Sequence, residues 1–537
     1  MVNEECVHYS PFTIHHLQFP MLRLHRYLPF TLLLIPILYL LTLAHGLVLG
    51  DPTEYTMIAN ILGIAHPPGY AFITILGKLF QTLIPFGDIP WRMHLLSAVA
   101  GTFAAACLYG IVKTIGTRGN SRNSEELRGT QNSELETRNS SLSTQYSALI
   151  TLSAALFAAF SLAFSANWWQ HAIHANPHIW TAAFLAFNLF CLTKWAAGGW
   201  PLAASHSPTA SSQRLTAQFW LFLFSFSAGV GLTHHPLTVF SFPAYALFIV
   251  WTRPRIILDW RTLLKMVAFA LLGLAAWLYF PLRSPSTPFG PTTMNTLDGF
   301  LDHVLARGLS ESLPYFRLVD LPDRLIVFWS LLRLQYPLPT IFLALIGVGW
   351  LGSGQVGDAA TRRGGDAANP NRQSKIVNRK FSALYVLAFL SNFAFVMSLK
   401  AQDIMAYLLG PFLVVALLAG IGLYGLVTLA QARLRLDNRT LALLVGLLML
   451  LGPVSQMVRN APRVSLRQYD EGDAYVAAVF AWFAGKGEGV TLLNDWEHQT
   501  PLWYHEYALG ETPDPADVRP RLVSAARPWV ESVFDFL

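Results

Sequence analysis

The chain has 537 residues, 53% of them hydrophobic and only 13% charged, with a net charge of +6. An apolar content this high, gathered in long blocks, excludes a single soluble domain and marks a polytopic membrane protein. The positive charge lies mostly in short basic loops, with no basic face interleaved with aromatics, which excludes nucleic acid as a partner.

Eleven apolar runs read as membrane helices: Leu28–Leu49, Leu95–Ile115, Ala148–Phe164, Ile179–Leu192, Phe219–Thr233, Leu237–Trp251, Leu264–Leu278, Pro339–Leu351, Phe381–Met397, Met405–Val427 and Leu441–Met457. Residues 1–27 precede them. Leu28–Leu49 is too long for the apolar core of a signal peptide and no small-residue cleavage site follows it, so it is expected to stay as an anchor. Tyr70–Phe86 is apolar but short, holds Gly77 and Lys78 at its centre and is bounded by Pro68-Gly69 and Gly87. That pattern predicts an interfacial or re-entrant helix rather than a span. Leu325–Leu334, with Arg333 inside it, reads the same way. The 116–146 segment, rich in Asn, Ser, Glu and Arg, reads as a disordered insertion, and so does the Gly-rich, basic 353–380 segment. Residues 28–458 form the membrane domain, and 459–537 a small soluble tail of mixed α/β character. Gly489–Leu493 reads as a short strand leading into Asn494-Asp495-Trp496-Glu497. So small a tail has little core of its own and should pack on the membrane domain. Cys107 and Cys191 lie inside apolar segments and Cys6 stands apart, which predicts neither a structural disulfide nor a thiolate metal site.

Lysine and arginine set the orientation. Arg23 and Arg26, the 118–138 arginines, Arg253 to Lys265, Arg362 to Lys380, and Arg433 to Arg439 all fall on one side if there are eleven spans. That side is cytoplasmic by the positive-inside rule. The expectation is a multi-pass protein of a bacterial plasma membrane with its N-terminus in the cytoplasm. The Asp51 loop, the Trp168–His178 turn, Arg283, the Asp403 turn and the tail then share the outer face.

Chemistry is sought where acids stand at the membrane edge, because charge there is costly without a role. Asp51 and Glu54 follow the first apolar run directly. An outer carboxylate there can act as a general base on an acceptor hydroxyl, or two can hold a cation. Asp51, Pro52 and Glu54 also fit a helix-capping box, and that reading is compatible with the others. His66-Pro67-Pro68-Gly69 is a rigid turn that either launches the next helix or fixes His66 near Asp51 as a donor to a phosphate or sugar hydroxyl. His171, His174 and His178 would share a helix face, but Pro177 interrupts it and no local acid joins them, so an aromatic and imidazole belt is preferred to a metal site. His234 and His235 either contact a substrate phosphate or cap a helix. Arg283 ends a span on the outside, where it pairs with a lipid phosphate or snorkels to the headgroups. Lys400, Asp403 and Tyr407 form a further outer turn, with Asp403 facing a cation or a sugar. No Walker A, H-E-x-x-H or CxxC motif is present, which argues against an ATP-driven pump or a zincin.

Several strings in order resemble one family. They are Asp51 to Glu54, His66-Pro67-Pro68-Gly69-Tyr70, Gly77-Lys78-Leu79-Phe80 and Arg92-Met93-His94-Leu95-Leu96-Ser97, with echoes at Gly229–Pro236, Tyr279–Arg283, Asp403–Pro411 and Asp495-Trp496-Glu497. The family is a polytopic membrane group first known as a domain of unknown function, and it includes the animal transmembrane O-mannosyltransferases. The resemblance implies an all-α GT-C bundle of about eleven transmembrane helices with outer interfacial helices. It implies a polyprenyl-phosphate sugar as donor, a protein or glycan hydroxyl as acceptor, and inversion at the anomeric carbon. By that similarity Asp51 is the catalytic carboxylate, with Glu54 beside it. His66, Tyr70, His234, His235, Arg283, Asp403 and Tyr407 would bind substrate. The resemblance names no certain cofactor, and a divalent metal between the acids has no further support in the sequence. Where the family usually shows Glu-Val-Tyr, this chain has Asn176-Pro177-His178, which implies a change in substrate choice or an impaired site. A transporter or flippase for a lipid-linked substrate is the alternative; it calls for inverted repeats, and none is clear.

Overall fold

Backbone groups in hydrocarbon must pair within their own segment, so the apolar runs fold as helices. The computed structural model describes residues 28–128, 134–198, 208–307, 315–353, 370–400, 403–434, 436–484, 491–511 and 521–525. The helices are α1 (Leu34–Thr42), α2 (Asp51–Ile61), α3 (Ala71–Leu83), α4 (Ile89–Arg128), α5 (Glu134–Ala163), α6 (Ala166–Ala172), α7 (Pro177–Ala197), α8 (Pro208–His234), α9 (Phe242–Thr252), α10 (Trp260–Leu274), α11 (Tyr279–Arg283), α12 (Leu297–Val304), α13 (Leu321–Gln335), α14 (Leu338–Ser353), α15 (Pro370–Ser398), α16 (Ile404–Tyr407), α17 (Leu409–Leu434), α18 (Asn438–Met449), α19 (Ser455–Val464), α20 (Glu471–Phe483) and α21 (Trp496–Trp503). Strands β1 (Thr491–Asp495) and β2 (Arg521–Ala525) pair in parallel within the tail.

Among the described residues, eight helical stretches are long and apolar enough to cross a membrane, within α4, α5, α7, α8, α15 and α17 and over Trp260–Ser286 and Thr440–Val464. A ninth is reached if α13 and α14, bent by 110°, count as one span. Three of the eleven expected runs differ. Leu237–Trp251 corresponds to a short apolar helix, Pro236–Thr252, and Pro339–Leu351 is one arm of the bent pair. Leu28–Leu49 stops being helical at Thr42. Beyond it the backbone is claimed by neighbours: Leu466 N–H bonds Thr42 O, Ala44 N–H bonds Ile173 O, and Leu47 N–H bonds the Asp473 carboxylate. The 116–146 segment is not the loop expected. α4 runs on to Arg128 and α5 starts at Glu134, because a helix nucleated in the membrane propagates easily through Glu- and Arg-containing sequence. Likewise α15 begins at Pro370 inside the expected 353–380 loop, while residues 354–369 lie outside the described residues.

The central pillar is α17, buried along nearly its whole length, with α5, α7, α14 and α15 around it. Glycine sets the closest crossing. A Cβ on Gly422 would stand 1.8 Å from Leu343 O, and one on Gly347 2.1 Å from Leu418 O. Small residues let two backbones meet in this way, and packing then replaces the hydrophobic force that lipid removes. Gly422→Leu is therefore expected to abolish the monodisperse peak in fluorescence-detected size exclusion. Gly446→Leu, where a Cβ meets nothing within 4 Å, should leave it unchanged.

The tail docks on the loop that carries Asp51. Gly50 N–H bonds Glu497 O at 3.0 Å, and Thr500 Oγ1 donates to Gly50 O at 2.8 Å. These contacts, 445 and more residues apart in sequence, bring α21 against α2.

Candidate active site

Gly50 opens the site. Its φ of +81° is left-handed backbone that glycine tolerates best, and it turns the chain sharply into α2. The cap of α2 is therefore Gly50, and no side chain caps it. This corrects the capping-box reading: Asp51 is already inside the helix and Glu54 one turn on, so both carboxylates are free for other partners. Glu54 is fully buried. Its carboxylate accepts the His66 backbone N–H at 2.9 Å and the His66 ring Nδ1–H. The turn at Pro67-Pro68-Gly69 brings His66 back over α2, closed by Gly69 N–H to His66 O at 2.9 Å. His66 Nε2 then meets Tyr55 OH at 3.2 Å and lies 3.9 Å from Asp51 Oδ2.

Asp51 is the accessible member, its side chain 44% exposed, and its Oδ1 accepts the Trp496 indole N–H at 2.6 Å. Desolvation by the packed loops raises Asp51 above the ordinary carboxylate range; His66 eases that, and Glu54 adds to it. For His66, burial disfavours the charged ring, but Glu54 and then Asp51 outweigh it and lift it to about 9. The pair is thus an imidazolium held by a buried carboxylate, with a second carboxylate facing the open space.

The folded value of His66 lies above its unfolded value near 6.5. Its contribution to stability is full below about pH 6.5 and is lost as pH rises through about 9. The melting temperature is expected to fall over that window in the wild type, and His66→Asn should remove that part of the slope.

A second wall faces this pair. Tyr70, itself at φ +53°, places its ring 5.1 Å from Tyr55, 5.7 Å from His66 and 5.5 Å from His235. Tyr407 lies 4.7 Å from His178, and His178 5.2 Å from His235. His235 Nδ1 accepts the Leu237 N–H, which leaves the proton on Nε2. Burial, with His178 close by, pushes His235 well down, and burial with His171 and His94 nearby pushes His174 to about 3. Burial would raise Asp403, but the His171 ring at 3.7 Å outweighs it and brings Asp403 to about 2. Burial, with Asp403 and Asp51 in range, lifts Tyr407 to about 12. The result is a chamber with a carboxylate at each end and neutral polar rings between. A cavity of about 30 Å³, bordered by His178, Tyr407, Asn188 and Asn392, lies behind this wall and has room for one or two waters.

Asp51, Glu54, His66, Tyr70, His235, Asp403 and Tyr407 therefore come together as the sequence predicts. His234 touches the same wall, its ring 5.7 Å from Tyr70, but it is fully buried and its Nε2 donates to Pro177 O, clamping the end of α8 to the start of α7. Arg283 lies apart. Arg283 bonds Leu62 O at 2.7 Å and Ile61 O at 3.2 Å. It closes the C-terminal end of α2, a favourable place for a cation, about 15 Å along the helix from Asp51. At 176–178, Asn176 caps α7 by accepting the His178 and Ile179 N–H groups, and His178 enters the chamber. His178 and Trp496 are the members that sequence reasoning missed as site residues. For Trp496 the signals were its place after a strand end and the Asp495-Trp496-Glu497 string that resembles the family. Asp51, Glu54 and His66 are also the one group among the described residues whose potential metal-ligand atoms lie within 4.8 Å of one another. Both Glu54 oxygens are already engaged by His66, so the trio is satisfied as it stands.

Residues 51–257 match the family model described as the protein O-mannosyl-transferase TMEM260 N-terminal domain, which bears out the resemblance drawn from the motifs. Protein O-mannosyl-transferase TMEM260 of Mus musculus is 44% identical over 71 residues, 13% of this chain and 10% of that one. Protein O-mannosyl-transferase tmem260 of Dictyostelium discoideum is 24% identical over 317 residues, 56% of this chain and 33% of that one. The chain thus spans no more than a third of the length of these relatives. Among solved structures, ArnT from Cupriavidus metallidurans bound to undecaprenyl phosphate covers 95% of this chain and 88% of its own, at 13% identity and a TM-score of 0.46. The apo state of the same protein gives a TM-score of 0.47 at the same identity.

Proposed function

We propose that the chain, whose residues 51–257 match the family model of the protein O-mannosyl-transferase TMEM260 N-terminal domain, is a membrane glycosyltransferase of the GT-C type. It moves a sugar, mannose being the first candidate, from a polyprenyl phosphate to a hydroxyl on the outer side, a protein Ser or Thr in the simplest case. The observation that carries this reading is the accessible Asp51 carboxylate beside a neighbouring acid that is buried and held by His66.

Asp51 takes the proton of the acceptor hydroxyl as its oxygen attacks the anomeric carbon. The bond from that carbon to the phosphate oxygen breaks, and its electron pair leaves on the polyprenyl phosphate. A lipid phosphate is already a competent leaving group, so no nucleotide-binding fold is needed. Glu54 cannot compete for the proton, because both its oxygens are held by His66. Tyr70, Tyr407, His178 and His235 offer neutral donors and acceptors that suit sugar hydroxyls, and Asp403 closes the far end. An open cleft of about 900 Å³ between His45–Leu47, Asp88–Arg92 and Arg467–Asp473 lies beside the Asp51 loop and suits an extended acceptor segment.

The test uses purified protein in nanodiscs, a panel of polyprenyl-phosphate sugars and a Ser/Thr-rich peptide. Mass gain on the peptide with one donor is expected. Protein-dependent translocation of the lipid without transfer would favour the transporter.

A further inference from the structure

Resting on Asp51 as the base, we propose that Trp496 of the C-terminal tail is a positioning residue that fixes which oxygen of Asp51 takes the proton. The indole Nε1–H donates to Asp51 Oδ1 at 2.6 Å. An indole can only donate, and a carbonyl-type oxygen accepts better than a protonated one, so this bond favours Oδ1 as the unprotonated oxygen. The acceptor's proton is thereby directed to Oδ2, the oxygen that faces the His66 ring at 3.9 Å.

The bond also removes a freedom. A half-exposed aspartate in the first turn of a helix can swing among rotamers, and a proton transfer needs one of them. Trp496 is itself held firmly. It is the first residue of α21, whose N-terminus is capped by Asp495 accepting the His498 N–H at 2.8 Å. Its ring packs edge-on against Trp503 at 5.5 Å and His66 at 5.6 Å. Glu497 O and Thr500 Oγ1 bind the two backbone groups of Gly50, the residue just before the base. The tail thus grips both the base and its backbone. In the step itself, the proton goes to Oδ2, the acceptor oxygen bonds the anomeric carbon, and the phosphate departs with the electron pair. Oδ2 then releases its proton to solvent.

Two replacements separate the N–H from the ring. Trp496→Phe keeps an aromatic ring and loses the donor. Trp496→His keeps a donor, since imidazole Nε2 lies the same number of bonds from Cβ as the indole nitrogen. Trp496→Phe is expected to lower kcat about tenfold to a hundredfold with KM unchanged. Trp496→His should recover most of it, and Trp496→Phe should cost nothing further in an Asp51→Asn background. Wild-type kcat in the Phe variant, or equal losses in both, would overturn the proposal. The contact has its own readout in nitrogen-15 tryptophan-labelled protein. The indole signal absent from the Trp496→Phe spectrum should shift in Asp51→Ala; an unmoved signal would overturn the proposal whatever the activity. A shift in a wild type that transfers no sugar would count against the proposed function and not against the contact.

Discussion

Asp51→Asn is expected to lose the proposed sugar transfer by about 10²- to 10⁴-fold and keep its fold, the range for removal of a positioned general base. Asparagine retains an oxygen that can accept the Trp496 N–H, so the tail stays docked and the loss is chemical. Donor binding should persist, because the rings proposed to meet the sugar are untouched. The measurement is initial rate and donor affinity on the same preparation. A variant within threefold of wild type would remove Asp51 from the chemistry.

Glu54→Gln has the opposite profile, a loss of stability that carries activity with it. Glu54 is fully buried and neutralises His66, so the amide leaves an imidazolium with only the more distant Asp51 carboxylate. Breaking a buried pair from one side costs about 3–5 kcal/mol, and the lower end applies here because His66 is about a quarter exposed to water. Thermal unfolding should show the drop, and the pH-dependent slope between about 6.5 and 9 should shrink, since the group that raises His66 is gone. A variant as stable as wild type, with that slope intact, would show that the pair does not hold the loop.

The two variants show what was readable in advance and what was not. Asp51 and Glu54 stand out in the sequence because acids are rare at the end of an apolar run. Their different fates do not, since burial of one and exposure of the other depend on how the 62–70 turn folds back. His66 was found because prolines and a glycine fix the chain after it. The carbonyl partners of Arg283 are not legible in the sequence, because an arginine at the end of an apolar run looks the same whether it faces a lipid phosphate or the open carbonyls of a helix end. His234 and His235 are adjacent, yet one faces a carbonyl and the other the chamber, a choice made by the break between α8 and the short helix after it. Trp496 stands in a string that resembles the family, but its contact with Asp51 is not legible in the sequence: the partner lies 445 residues earlier, and no local pattern announces it. The helices followed their apolar runs well in the middle and poorly at the ends. At Thr42 tertiary hydrogen bonds stop a helix early, and at Arg128 polar sequence lets one run on.

The central claim is a single displacement with Asp51 as base. The measurement that tests it most directly is the anomeric configuration of the product made by purified protein from a polyprenyl-phosphate sugar of known configuration, read by NMR. One displacement predicts inversion. Retention would make Asp51 a nucleophile in a double displacement, and no product from any such donor would contradict the account as a whole.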